Sequence, residues 1–263
     1  MHSPNCLNCG EPLSPAKKFC ATCGQKAVIK RLALYEIGHD ALHYFTHADN
    51  NIFYLLKQLA VAPGKVAREF VAGRRKKYFP PLNFFLIVAA VCLFMAGVVY
   101  NSQVASTAKR YRATSSRSTQ PLQRTIDPGM QKRGAGVGKF FAKYSNLVAM
   151  CAVPLLSFLI WLFYIKGRYN YAEHLVANMY ISGFTVLFYS LVIQPVKLLV
   201  NSNYLVYIYF LFELVYRIIS YYYFINKKDK AALVKAILAN VVIVGFWFVL
   251  TSTLIRLYVM HGF

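Results

Sequence analysis

Carboxylates are scarce in this chain: nine Asp and Glu stand against 30 Lys and Arg in 263 residues, for a net charge of +21. Charge of any sign is thin, at 15% of residues against 57% hydrophobic ones. That balance excludes an ordinary soluble domain. The cations are not gathered in one place. Residues 1–81 hold 12 basic and 5 acidic residues, 101–145 hold 9 and 1, and the remainder holds 9 and 3. Such a spread makes no single basic face, so nucleic acid is not the expected partner; anionic lipid headgroups fit it better. No nucleophile elbow, phosphate loop or zincin motif occurs, which leaves an enzyme without positive support. No inverted or tandem repeat is visible, which weakens a repeat-built transporter. Cys6 and Cys9 stand where the apolar stretch of a signal peptide would begin, so insertion is expected to be directed by the first span.

What the chain has instead begins with two copies of one short motif. Cys6-Leu-Asn-Cys9-Gly10 and Cys20-Ala-Thr-Cys23-Gly24 lie ten residues apart. A CxxCG turn aims two thiolates at one point, and two such turns form the closed four-thiolate set that zinc prefers. Iron in a rubredoxin-like site and a redox dithiol pair are the alternatives. A head this small buries no useful core, so metal binding must supply its folding energy, on the order of 10 kcal/mol. Lys17, Lys18 and Lys26 stand near enough to offset the negative charge of such a site. Cys92 and Cys151 sit inside apolar runs and read as small buried residues. From Cys6 to Lys26 the head resembles the short zinc ribbons at the N-termini of many bacterial membrane and regulatory proteins. That resemblance implies a protein partner more often than a nucleic acid.

Residues 1–31 form this head, and residues 32–81 read as a helical collar. Leu34, Ile37, Ala41, Leu42 and Phe45 make one apolar helical stripe, with His39, His43 and His47 four residues apart on the opposite face. Neighbouring histidines at that spacing can share a metal, but a single helix face rarely supplies three convergent ligands. A polar face that contains histidine is the simpler reading. A second helix runs from Ile52 to Ala62 and stops at Pro63-Gly64. Between Gly64 and Gly73, Val66, Phe70 and Val71 share a helical face, and Arg74, Arg75, Lys76 and Lys77 follow, then Tyr78-Phe79 and Pro80-Pro81. We expect an amphipathic helix on the cytoplasmic membrane surface, a basic anchor on anionic headgroups, and an aromatic interface residue.

Residues 82–263 form the membrane domain, with five apolar runs at about 82–100, 147–165, 175–193, 204–225 and 236–255, each near the length that crosses a bilayer as a helix. Arg74 to Lys77, Lys166 with Arg168, and Lys227 with Lys228 and Lys230 fit a cytoplasmic N-terminus. The loop 101–146 contradicts this, since it would lie outside with nine cations and one acid. If the first run failed to cross, four spans of reversed orientation would remain. The first part of that loop, rich in Ser, Thr and Arg, reads as flexible.

Three polar features stand within the spans. Asn170 with Glu173 three residues on is a capping-box pattern, which leaves His174 free to face a pocket. Glu213 and Arg217, four apart, form either a self-paired couple on an interior face or part of a polar pathway. Gln194-Pro195 reads as the end of the third span, with Lys197 snorkelling.

The segments CLNCGEPL…KKFCATCGQK, HDALHYFTHADN, PGKVAREFVAGRRKKYFPPLNFFLI and YNYAEHLVANMY together resemble an uncharacterised bacterial membrane-protein family. They cover a little under half of the chain. The resemblance implies a zinc ribbon joined to a multi-span domain and no particular reaction. The expected protein is mainly α-helical, multi-pass in the plasma (inner) membrane, and non-catalytic, with a zinc ribbon that docks or senses a partner. A transporter or channel using Glu213, Arg217 and His174 is the alternative, and a membrane-bound metalloenzyme is a second one.

Overall fold

The computed structural model describes residues 4–14, 18–29, 31–37, 51–114, 128–200, 204–225 and 229–261. After the Cys-rich head come α1 (Asn51–Val61), α2 (Lys65–Val71), α3 (Pro81–Thr114), α4 (Pro128–Cys151), α5 (Val153–Phe163) and α6 (Tyr171–Phe188). A π-helical turn (Tyr189–Ile193), α7 (Gln194–Val200), α8 (Tyr204–Ile225) and α9 (Lys230–His261) complete the order.

The helix α6 is the axis of the bundle. It packs against α1, α2, α3, α5 and α8. The membrane-length segment it begins is 61% buried, against 22 to 33% for the three other such segments. Its sequence accounts for this: no charge follows Glu173, and the helix is apolar or small-polar on every face. Tyr180 on α6 meets Phe84 of α3 and Phe70 of α2, and its hydroxyl donates to Phe79 O at 2.7 Å.

Among the described residues, four helices are long and apolar enough to cross a membrane: Pro81–Val99, Tyr171–Lys197, Tyr204–Ile225 and Lys230–His261. Five spans were expected. The shortfall is the second run, not the first as the four-span alternative supposed. Residues 147–165 are divided between the end of α4 and the 11-residue α5, which meet at Ala152. Pro154 explains the break, because it lacks the N–H that would continue the ladder and its ring crowds the preceding turn. The kinked pair still lies antiparallel to α9. Lys235 sits over the Tyr164 ring at one end, and Arg133 donates to Val259 O and Met260 O at the other.

Helix also enters the loop that was expected to be flexible. α3 continues to Thr114 and α4 begins at Pro128. Residues 101–114 contain neither Gly nor Pro, so extending an existing helix is cheaper than stopping it. The third span, too, runs on past Gln194-Pro195 to Val200. Here a π-turn absorbs the proline: the Gln194 N–H bonds five residues back to Tyr189 O, so the wider coil makes room for the ring.

The collar holds a second correction. Val66, Ala67 and Phe70 do not lie on a lipid surface; they are buried, with α2 packed on α6 and α8. Each of the two larger side chains contributes about 2 kcal/mol by leaving water. Arg68 Nη1 donates to Tyr223 O at 2.8 Å, Tyr216 OH to Leu59 O at 2.9 Å and Tyr169 OH to Phe224 O at 3.3 Å. These bonds satisfy carbonyls in the last turns of α1 and α8 that have no partner within their own helices. Tyr78, expected at the lipid interface, is buried under Tyr54.

Gly64 permits this close docking. Its φ is +79°, and a Cβ there would lie 2.0 Å from Ser220 O. Gly64→Ala should therefore lower stability by about 3 kcal/mol, from the left-handed backbone and the overlap together. Gly97, in α3 with open space around it, serves as control: Gly97→Ala should leave thermal unfolding in detergent unchanged or slightly raised.

Candidate functional site

Each CxxCG turn closes in the same way. Gly10 N bonds to Cys6 O and Cys6 N to Glu11 O; Gly24 N bonds to Cys20 O and Cys20 N to Gln25 O. Gly10 and Gly24 have φ of +83° and +68°, the left-handed turn the motif requires. Single antiparallel bridges, Asn5 with Pro12 and Phe19 with Lys26, flank the turns. The sulfurs converge: Cys6 Sγ is 3.6 Å from Cys23 Sγ, Cys9 Sγ is 3.6 Å from Cys20 Sγ, and all four lie within 4.8 Å of one another. A tetrahedron with metal–sulfur bonds of about 2.3 Å has edges of about 3.8 Å, so the set fits one metal ion. None of these cysteines is in a disulfide.

This head is seated on the membrane domain. Gln25, buried behind the second turn, accepts from the backbone N–H groups of Arg75 (3.2 Å) and Lys76 (3.4 Å) through Oε1. A Cβ on Gly73 would lie 2.9 Å from Leu7 Cδ1, so the first knuckle rests against the end of α2. Arg31 then reaches the end of the axial helix. Its Nε and Nη2 donate to Glu173 Oε1 and Oε2, both at 3.0 Å, in a two-pronged pair. Glu173 is at the same time the reciprocal member of the expected capping box. Its N–H donates to Asn170 Oδ1 at 2.9 Å, and its Oε2 accepts from Asn170 N at 2.7 Å. Asn170 Nδ2 donates to Leu32 O, which ties the collar chain to the same point.

Three members of the basic cluster face carboxylates of the collar. Arg74 and Lys77 pair with Glu69 at 3.4 and 2.8 Å, and Arg75 pairs with Glu36 at 3.4 Å. Tyr78 OH donates to Glu69 Oε2 at 2.8 Å. Burial alone would raise the Glu69 pKa, but the hydrogen bonds from Lys77 and Tyr78 and the charges of Lys77 and Arg74 outweigh it and hold the carboxyl below its ordinary value. Burial, and then Glu69, push the Tyr78 hydroxyl up to about 12.

Within the spans the expected polar residues separate into two groups. Glu173 belongs to the Arg31 latch. The Glu213–Arg217 pair of α8 is wired to two other helices. Arg217 Nη2 donates to Glu213 Oε1 (3.2 Å) and Ser182 Oγ (2.9 Å), and Nη1 donates to Asn178 Oδ1 (3.4 Å). Asn178 Nδ2 continues to Ser157 Oγ at 2.9 Å on α5. His174 is buried between the rings of Tyr164 and Tyr221, 5.8 and 6.1 Å away, and neither ring nitrogen has a partner among the described residues. His39, His43 and His47 lie outside the described residues.

Sequence reasoning missed Arg31, Gln25, Glu69, Asn178 and Ser182, and it set Glu36 beside the histidines where the structure pairs it with Arg75. A usable signal lay in the scarcity of acids. Glu36, Glu69, Glu173 and Glu213 all form ion pairs here.

Fold and site together define a membrane protein of apolar helices with a candidate metal centre at its N-terminal end. A family described as a protein of unknown function (DUF3667) matches residues 49–93, which span α1, α2, the basic turn and the first part of α3. No curated protein and no solved structure matches the chain. The four cysteines of the candidate metal site lie outside the matched stretch.

The Glu69 cluster makes a signed prediction. A depressed folded-state pKa contributes stability above the ordinary carboxylate range, and that stability is lost as pH falls through the folded value. Wild type should thus melt higher than Glu69→Gln near pH 6, and the difference should shrink as pH falls below about 4. A difference independent of pH would assign Glu69 a packing role alone.

Proposed function

We propose that this chain is a non-catalytic, multi-pass protein of a bacterial plasma membrane whose zinc ribbon, on the cytoplasmic side, senses or docks a protein partner. One observation carries the reading: a closed four-thiolate site is latched through Arg31 to the capping box of the most buried helix. A closed site has no position for substrate, which suits structure rather than catalysis. The ion pair to Glu173 links the folded state of the ribbon to the start of the axial helix. Metal loss would unfold the head and release Arg31, leaving the Glu173 carboxylate without its cation.

A transporter is the second reading, and the unpartnered ring of His174 is the observation in its favour. The Arg217 group argues the other way, since Glu213, Asn178 and Ser182 satisfy it as a strut between α6 and α8. His174→Phe should abolish solute or proton flux in proteoliposomes if transport is the function, and should leave ribbon-dependent cross-links intact if docking is.

The purified protein should carry one zinc per chain, and Cys9→Ser should lose it while the spans stay inserted. Finding no metal, or stoichiometric iron, by elemental analysis would refute the zinc assignment. Hydrogen exchange at 168–175 should rise in Cys9→Ser and to a similar degree in Arg31→Gln. Crosslinking in native membranes with and without Cys9→Ser should show a partner lost from the variant.

The cytoplasmic placement has its own check. A reporter fused after Asn226 should read cytoplasmic and one after Asn101 periplasmic; the reverse result at both would place the ribbon outside.

A further inference from the structure

A cavity of about 720 Å³ opens between the ribbon and the start of α3. Its size is within the range of about 300–1,000 Å³ that holds small ligands. Leu32, Ile37, Phe70 and Leu82 supply apolar wall, and the charged groups among the described lining residues are Lys26, Glu36, Arg75 and Lys76. Glu36 is already engaged with Arg75. Gln25 adds a directional signal. Its Oε1 is identified by the two backbone N–H groups it accepts from, so the other terminal atom is Nε2, a buried donor with no partner among the described residues. Gln25 is 3% exposed and lines the cavity. An unpaired buried donor beside an excess of positive charge calls for an anionic acceptor.

Position narrows the ligand class. Pro80, Pro81 and Leu82 line the cavity, and Pro81 opens the segment Pro81–Val99 that is long and apolar enough to cross a membrane. A pocket at that level, with a cationic and donor-bearing rim and apolar walls, has the polarity gradient of a lipid at the headgroup boundary. We propose that the cavity holds the headgroup and upper part of one acyl chain of an anionic phospholipid, with Lys26, Lys76 and Gln25 Nε2 facing its phosphate. This inference rests on the membrane reading above. It differs from general attraction of the basic cluster to the bilayer because Arg74, of the same cluster, does not line the cavity.

The test is native mass spectrometry of the full chain in mild detergent, offered phosphatidylglycerol or phosphatidylcholine, with zinc content measured in each sample. Wild type should retain one phosphatidylglycerol per chain and little phosphatidylcholine. Lys26→Gln/Lys76→Gln should cut retention by about tenfold or more, from the loss of two cations at the headgroup. Val28→Trp, which fills the cavity, should abolish retention, and Arg74→Gln should leave it within about twofold of wild type, a general surface attraction being weak and screened. Equal retention of both lipids, equal losses in Arg74→Gln and the double variant, or no retained lipid in wild type overturns the proposal. Zinc retained without lipid sinks the cavity and leaves the ribbon reading standing; lipid retained by a chain without zinc does the opposite.

Discussion

The Glu173 carboxylate is held from two directions, and most of the architecture meets at that point. From within its own helix it closes the capping box with Asn170, which satisfies N–H groups that would otherwise be orphaned where α6 enters the apolar bundle. From outside it takes both prongs of Arg31. Asn170 also binds Leu32 O, so the ribbon, collar and axial helix share one junction. A carboxylate so deeply set is costly without a cation. Arg31 supplies one from the segment that follows the candidate metal site, so the Cys-rich head and the axial helix are joined by this ion pair.

The same economy of acids recurs elsewhere. Glu69 receives Arg74, Lys77 and Tyr78, and so bends the chain between α2 and α3 around itself. Glu213 orients Arg217, whose remaining donors reach α6. Of the nine carboxylates, Glu36, Glu69, Glu173 and Glu213 hold cations, and Glu69 and Glu173 each gather several donors. Nine carboxylates cannot neutralise 30 Lys and Arg, so some cations turn instead to backbone carbonyls, as Arg68 and Arg133 do, or to rings, as Arg168 and Lys235 do.

The features legible in the sequence were those written in local spacing. The four cysteines converge as the two CxxCG motifs require, and the Asn170–Glu173 capping box forms as its three-residue offset predicts. The apolar middles of four helices were readable from length and hydropathy, though not where α3, α7 and α9 end. What escaped was non-local or depended on backbone adaptation. Nothing near Arg31 points to a carboxylate 142 positions away. The apolar face of α2 was correctly seen, but a stripe of that kind fits lipid and protein equally, and only the approach of Ser220 to Gly64 shows which it met. Two prolines had opposite outcomes. Pro154 interrupts a run that looked long enough to cross, whereas Pro195 is carried through by a π-turn.

That π-turn alters which neighbours the end of the third span can meet. An α-helix turns about 100° for each residue, so one residue accommodated by widening rather than by rise sets the two parts of the helix out of phase by roughly that angle. The side of α7 that packs against α3 is therefore not the direct continuation of the α6 face that meets the same helix. Beyond Ile193 the helix presents a new face, with Val196, Leu199 and Val200 exposed. The axial segment thus behaves as two rods joined by a built-in rotation: one rod is committed to the interior of the bundle, and the other keeps α3 on one side while exposing Val196, Leu199 and Val200 at the end remote from the ribbon.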